Sequence, residues 1–364
     1  MLQLLCLFAI LLLNPVESLI QPRHRCRQRR RSFVVSATSN PEVGDNNPTS
    51  LLFLLSYDGG RFTGWSAANT GANQTGFVRS VEDVLRQNLA RLFGDVDSSR
   101  LIVEGTSRTD KGVHAKTMVA QAYCLSQDWE SISVPSSIPG KRRPHPKSSF
   151  DNDCFVPFPM SPSRILAVLN RMLPDDISVR GVCPSPFQED RPFHPTLDSE
   201  MKTYQYTFSV GPIHDPSQWR RTWHIGSKFE TSDLDFACAM LQGTHDFRAF
   251  RGAPRGKDDR RKKNEESTVC TLFDACVELD TSSCPIPDLK TYRVSVTGDR
   301  FLYKMVRFLV GSLVDIGLGT LNPEDLDRAL ESGSFDPQPK PSCAPANGLV
   351  LADVAYKPEL SWLN

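Results

Sequence analysis

The chain has no Cys-x-x-Cys pair, no His-Cys cluster at metal spacing, no Gly-x-Gly-x-x-Gly, no Lys-bearing phosphate loop and no Ser or Cys nucleophile elbow. These absences argue against a zinc site, a nucleotide-binding sheet and a nucleophile-elbow hydrolase. Ten cysteines lie scattered through 364 residues, a pattern that makes no small disulfide scaffold. Free thiols in a reducing compartment are the default. A bilayer-length apolar run is also missing: Leu4 to Leu13 holds ten residues, and Asn14-Pro15 ends it. Nor is there an excess of either charge, with 42 basic against 42 acidic residues.

What is present fits a soluble globular chain, 39% hydrophobic and 23% charged, long enough for two domains with sizeable cores. The zero net charge hides an uneven distribution. Residues 1–40 carry six arginines and one acid, Glu17, and setting them aside leaves 36 basic against 41 acidic residues. Binding nucleic acid by bulk charge needs a basic protein, so this body must rely on local patches. Two are visible, Lys141-Arg142-Arg143 with Lys147, and Arg251 to Lys263 with seven basic residues and two acids. Each also reads as a solvated loop.

The first 40 residues have targeting composition. Leu4 to Leu13 fits a signal-peptide core with Val16-Glu17-Ser18 as the cleavage site, although a positive n-region is missing. Residues 19–40 are Arg-rich, contain Ser and Thr and have no acid, which is transit-peptide composition. A signal followed by a transit segment predicts import into a plastid enclosed by extra membranes. The alternative is a mitochondrial presequence that opens on an apolar stretch, and cytosol and nucleus stay open.

In the body, Leu51 to Tyr57 reads as a buried strand ending at the turn Asp58-Gly59-Gly60. Ser80 is an N-cap candidate for a helix with Val81, Val84, Leu85, Leu89 and Leu92 on one face. Strands follow at 101–104 and around Met118 to Leu125, then a Pro/Ser-rich insert at 131–160 and a helix over Ser163 to Met172. In the second half, Met201 to Val210 alternates, with Tyr204, Tyr206, Phe208 and Val210 on one face. Ser232 with Asp235 marks a helix start. A basic insert covers 251–270, and strands are expected near 269–279 and 291–297. Phe301 to Leu318 reads as an apolar helix carrying Lys304 and Arg307, and Leu349 to Tyr356 as the final strand. Two similar halves, 48–185 and 186–360, predict a two-domain α+β protein.

The most informative stretch is Gly105-Thr-Ser-Arg-Thr-Asp-Lys-Gly-Val-His-Ala115, directly after a strand. It sets a carboxylate, Asp110, between Arg108 and a glycine that can turn sharply. A nearby guanidinium favours the ionised acid, which makes Asp110 a candidate nucleophile. Thr-Asp-Lys-Gly is equally an ordinary turn, and His114 is expected to be structural.

Seven segments in order resemble the TruA-type tRNA pseudouridine synthases, from about Leu51 to Pro358. They are Tyr57-Asp-Gly-Gly-Arg-Phe-Thr-Gly-Trp65; Ser107 to Ala115; Leu169-Asn170 with Leu173-Pro-Asp-Asp-Ile177; and Phe193-His-Pro195 with Lys202-Thr-Tyr204. Then come Gly243 with His245-Asp-Phe247 and Phe250; Phe301-Leu-Tyr-Lys-Met-Val-Arg307 with Gly311-Ser-Leu; and Ala344-Pro-Ala-Asn-Gly-Leu349. The resemblance implies two similar mixed α/β domains with mainly antiparallel sheets around a central RNA-binding cleft. It implies a cofactor-free isomerase acting on uridine in tRNA, with other RNA as a further substrate class. Asp110 corresponds to the nucleophile, Arg108 to the arginine that displaces the target base, Tyr204 to the tyrosine that stacks on it, and Arg307 to the arginine that pairs with the carboxylate. Homodimerisation is implied by bacterial members, with monomeric eukaryotic-type members as the alternative. Ser107 and Lys111 stand where bacterial members usually have Gly and Ala. A non-catalytic RNA-binding or RNA-folding module on the same scaffold is the competing reading.

Overall fold

The computed structural model describes residues 50–66, 79–98, 100–125, 154–155, 161–186, 192–226, 228–253, 267–281, 286–357 and 359–362. The leader at 1–40 lies outside these residues, as do all of the 131–160 insert except 154–155 and residues 254–266 of the basic insert. No helix among the described residues is long and apolar enough to cross a membrane.

Strand β1 (Leu51–Tyr57) is buried except at Ser56, which is what a continuous apolar run dictates. It pairs antiparallel with β3 (His114–Leu125) on one side and β5 (Ile177–Pro184) on the other. On β3, the short strands β2 (Leu101–Gly105) and β4 (Cys154–Phe155) add antiparallel partners. In the second half, β6 (Ser199–Val210) pairs with β10 (Lys290–Gly298), which continues to β9 (Val269–Leu279) and β8 (Gly243–Asp246). The three-residue β7 (Trp223–Ile225) runs parallel to β6.

The last strand, β11 (Leu349–Tyr356), lies between the two sets. It pairs antiparallel with β6 and parallel with β3, through Val350↔His114 and Leu351↔Ala115. One sheet therefore runs β5-β1-β3-β11-β6-β10-β9-β8. The expected mixed, mainly antiparallel fold is borne out.

Helix α1 (Val81–Leu92) starts where the sequence places it. Ser80 Oγ accepts from Asp83 N at 3.1 Å, a cap worth about 1 kcal/mol. The inward residues Val81, Val84, Leu85 and Leu89 are buried. Helix α2 (Pro162–Met172) places Pro in its first turn, where a missing N–H does no harm. Helix α3 (Leu234–Leu241) begins after Asp233, which makes no side-chain cap bond.

Helix α4 (Met305–Gly317) starts four residues later than the apolar pattern predicts. Lys304 sits in the left-handed region at φ 59°, and the Tyr303 carbonyl accepts from Gly252 N at 2.8 Å instead of serving a helical turn. Helix α5 (Pro323–Ser332) was not expected, yet it has a capping box between Asn322 and Asp325.

Along β6 the alternation holds. Tyr204, Tyr206 and Phe208 are buried, Val210 is half-buried, and Thr203, Gln205 and Thr207 are more open. The thiols of Cys124 and Cys183 are buried packing groups, and burial pushes them up to about 11 and about 12.

One close approach shapes everything that follows. A Cβ at Gly311 would lie 1.7 Å from the Ser342 carbonyl oxygen, so α4 lets the segment 342–348 pass directly over it.

Candidate active site

The loop joining β2 to β3 carries Asp110, and backbone bonds hold it from both sides. Trp65 N donates to Thr109 O at 3.0 Å, Asp110 pairs with Gly64 in an isolated antiparallel bridge, and Val113 N donates to Asp110 O at 3.1 Å. Gly64 has φ +117°, and a Cβ there would lie 2.5 Å from Thr109 O. The opening motif thus packs its glycine against the Arg-Thr-Asp loop. Gly112, at φ +82°, supplies the sharp turn after the carboxylate. Below the loop, the Tyr57 hydroxyl and Thr109 Oγ1 are 2.8 Å apart, and burial raises the Tyr57 phenol well above its ordinary value.

Arg307 comes to Asp110 from α4. Its Nη1 is 3.6 Å from Asp110 Oδ2, and its Nε donates to Ala344 O at 2.6 Å. The two side chains are 14% and 19% exposed, so both are largely shielded but still touchable by a ligand. Arg307 does not extend its head to the open surface. The Ala344 carbonyl and the carboxylate hold the guanidinium fork between them.

Tyr204 enters from β6. Its hydroxyl lies 2.8 Å from Ser107 Oγ on the same loop, and Phe301 meets its ring edge-on at 5.0 Å between centroids. Tyr206 and Phe208 are fully buried core residues, whereas Tyr204 keeps 7% exposure at the loop. Burial pushes the Tyr204 phenol up to about 12; the Ser107 hydrogen bond pulls it back and the nearby Asp110 charge raises it further. The phenol is therefore a neutral ring with a tethered hydroxyl.

Asp110, Tyr204 and Arg307 are thus brought together from three elements. Arg108, on the same loop, is exposed. Across from it is Glu82 in the first turn of α1, which burial pushes up to about 7 while the charges of Arg86 and Arg108 oppose the rise.

His114 takes part in the hydrogen bonding of the loop, as expected. Its Nδ1 accepts from Gly59 N at 3.1 Å, which assigns the proton to Nε2, and Nε2 lies 3.1 Å from the Asn347 carbonyl. Burial holds the imidazole below its ordinary value, with Asp58 opposing. Asp58 Oδ1 also approaches Nδ1, at 3.1 Å. That carboxylate is held by Gly60 N at 2.9 Å and Arg221 Nη2 at 2.7 Å.

Several contacts at the site are not readable from the sequence. Ser107 tethers Tyr204, which the Gly usual in bacterial members could not do. The carbonyls of 344–347 act as a strap: Ala344 O takes Arg307, Pro345 O takes the Tyr206 hydroxyl at 2.8 Å, and Asn347 O takes His114. Backbone acceptors leave no side-chain signature, so only the segment, and not its work, was readable.

Comparison with known proteins places the chain in a family. A family model described as tRNA pseudouridine synthase matches residues 237–357. The tRNA pseudouridine synthase A of Syntrophotalea carbinolica is 30% identical over 310 residues, covering 85% of this chain and 97% of that protein. Those of Citrifermentans bemidjiense and Acetivibrio thermocellus are 28% and 27% identical over 308 and 307 residues, covering 85% and 84% of this chain and 98% and 99% of theirs. With near end-to-end coverage of these relatives, and the Arg-Thr-Asp loop seated against a tyrosine and an arginine, the chain belongs to the tRNA pseudouridine synthase A family.

Proposed function

We propose that the protein isomerises uridine to pseudouridine in tRNA, with Asp110 as the nucleophile. The supporting observation is the Asp110 carboxylate beside Arg307 Nη1, on a loop that also holds the Tyr204 hydroxyl. In the reaction the bond from N1 to C1′ breaks and a bond from C5 to C1′ forms, while N1 takes up a proton and the C5 hydrogen leaves to solvent as a proton. Atoms and electrons balance within the one nucleotide, so the step needs no outside oxidant or energy source. Attack on the sugar, attack on the base, or removal of a sugar proton to give a glycal would each use a single ionised carboxylate, and Asp110 fills that part in all three.

The target base must leave its stack, which costs roughly a few kcal/mol. Tyr204 would offer a face worth about 1–3 kcal/mol in stacking, and the exposed Arg108 would fill the gap left behind. Arg307 balances the carboxylate charge in a site that is mostly closed to water.

The test is direct. Incubating the purified protein with a tRNA transcript labelled with tritium at uridine C5 should release tritium to water while the RNA mass, label aside, stays unchanged. No release from any tRNA would overturn the proposal.

For delivery, we propose plastid import through residues 1–40, on their signal-then-transit composition. A fluorescent protein carrying residues 1–45 should collect in the plastid. A diffuse cytosolic signal would end that reading.

A further inference from the structure

A second concavity, of about 420 Å³, opens on the sheet beyond the strap. Among the described residues, none of Asp110, Tyr204 and Arg307 lines it. Its size falls within the range of nucleotide-sized sites. Ser209 of β6 and Thr291, opposite it on β10, belong to its walls, with the rings of Trp219, Trp223, His214 and His224 around them.

Trp219 is 61% exposed, a large indole left in water at the edge of a hollow. The Arg220 guanidinium lies over one of its faces, 4.9 Å from the ring centroid. The interior is suited to an uncharged, hydrogen-bonding plane. His214 and His224 have ring centroids 5.9 Å apart, and Ser209 Oγ is 3.2 Å from His224 Nδ1. Burial, with His214 adding to it, holds the His224 imidazole below its ordinary value.

Two carboxylates also line the hollow and would repel a phosphate inside it. Asp280 holds Arg293 in an ion pair, and Asp215 accepts from Ser217 within its own turn, at 2.8 Å from N and 2.7 Å from Oγ. One cation, Lys290, lines the hollow beside them, and the others sit outside, at Arg220 on the rim and along the sheet. There Lys116 is pulled below the ordinary lysine value by burial and by the neighbouring Arg293 and Arg221. Arg221 itself is paired with Asp58 at 2.7 Å. Like charges crowded on an open surface favour a polyanion alongside.

The wall of this hollow is tied to the catalytic loop. Asn347 Nδ2 donates to the carbonyls of Trp219 at 3.0 Å and Thr222 at 3.3 Å, while the same residue's carbonyl takes His114.

We propose that this concavity captures a second nucleobase of the RNA substrate, one that is not modified, stacked on Trp219 with its phosphate on Arg220. The proposal rests on the function argued above, because it takes RNA as the substrate. An unpaired base can offer both a π-face and an edge for hydrogen bonding, and the hollow has a partner for each.

Two variants and two readouts test it. Trp219→Ala should weaken binding of full-length tRNA about tenfold, the expectation for one lost stack. It should raise KM by a similar factor with kcat unchanged, and Trp219→Phe should restore most of the loss. The dependence of log affinity on log salt should keep its slope in Trp219→Ala, because no phosphate contact is removed. Ultraviolet cross-linking of tRNA to the native protein should leave a nucleotide adduct on the peptide containing residues 214–224. Unchanged affinity in Trp219→Ala, or an adduct that avoids this peptide, would overturn the proposal. Affinity is read without turnover, so a failure of isomerisation and a failure of this pocket give different results.

Discussion

Replacing Asp110 with Asn is expected to abolish pseudouridine formation, with a loss on the order of 10⁴-fold or more, as when a nucleophile is removed elsewhere. Asn keeps the size and the backbone of the loop. The bonds that hold the loop run through main-chain atoms, the bridge to Gly64 and Val113 N to Asp110 O. The fold and the affinity for tRNA should therefore stay close to those of the native protein, within about threefold for affinity. Tritium release under single-turnover conditions, with a binding titration on the same samples, separates the two quantities. Turnover at even a tenth of the native rate would remove Asp110 from the nucleophile's place.

The second large effect is expected at Arg307. Its Nε is committed to Ala344 O at 2.6 Å while its Nη1 faces Asp110 at 3.6 Å, so one side chain serves two acceptors through a rigid fork. Arg307→Met keeps the apolar stem in α4 but removes the charge opposite the carboxylate. A loss of about 10²- to 10³-fold in kcat is expected, the size seen when a preorganised electrostatic partner is removed. Arg307→Lys should recover little of it, because one ammonium cannot satisfy both acceptors from the same position. Full activity in the lysine variant would show that the fork does not matter. A thermal melt of both variants reports whether the strap has loosened from α4.

How much of this was legible beforehand depends on the range of the interaction. Strand β1 and the Ser80 cap are local patterns, and the structure has them where the residues put them. Gly112 at positive φ was readable for the same reason. The start of α4 was not, since the left-handed Lys304 and the Gly252 bond to Tyr303 O depend on a partner some fifty positions away. Helix α5 does not stand out, although Asn322-Pro-Glu-Asp is a capping signal, because its apolar stripe (Leu326, Ala329, Leu330) is short and the rest of the helix is mostly polar. The Ser107–Tyr204 tether and the insertion of β11 between β3 and β6 join residues far apart in the sequence. The order of motifs could point to the site residues; how they meet is a property of the sheet.

That sheet has a consequence for the order in which a ribosome makes the enzyme. Asp110, Tyr204 and Arg307 have all been synthesised by residue 307, yet the acceptor that orients the arginine is at 344 and the strand joining the two strand sets runs from 349 to 356. A nascent or prematurely terminated chain holds these three side chains without the frame that brings them together. On the proposed site, isomerisation is deferred to a finished polypeptide, and a fragment ending before residue 344 should leave RNA unmodified.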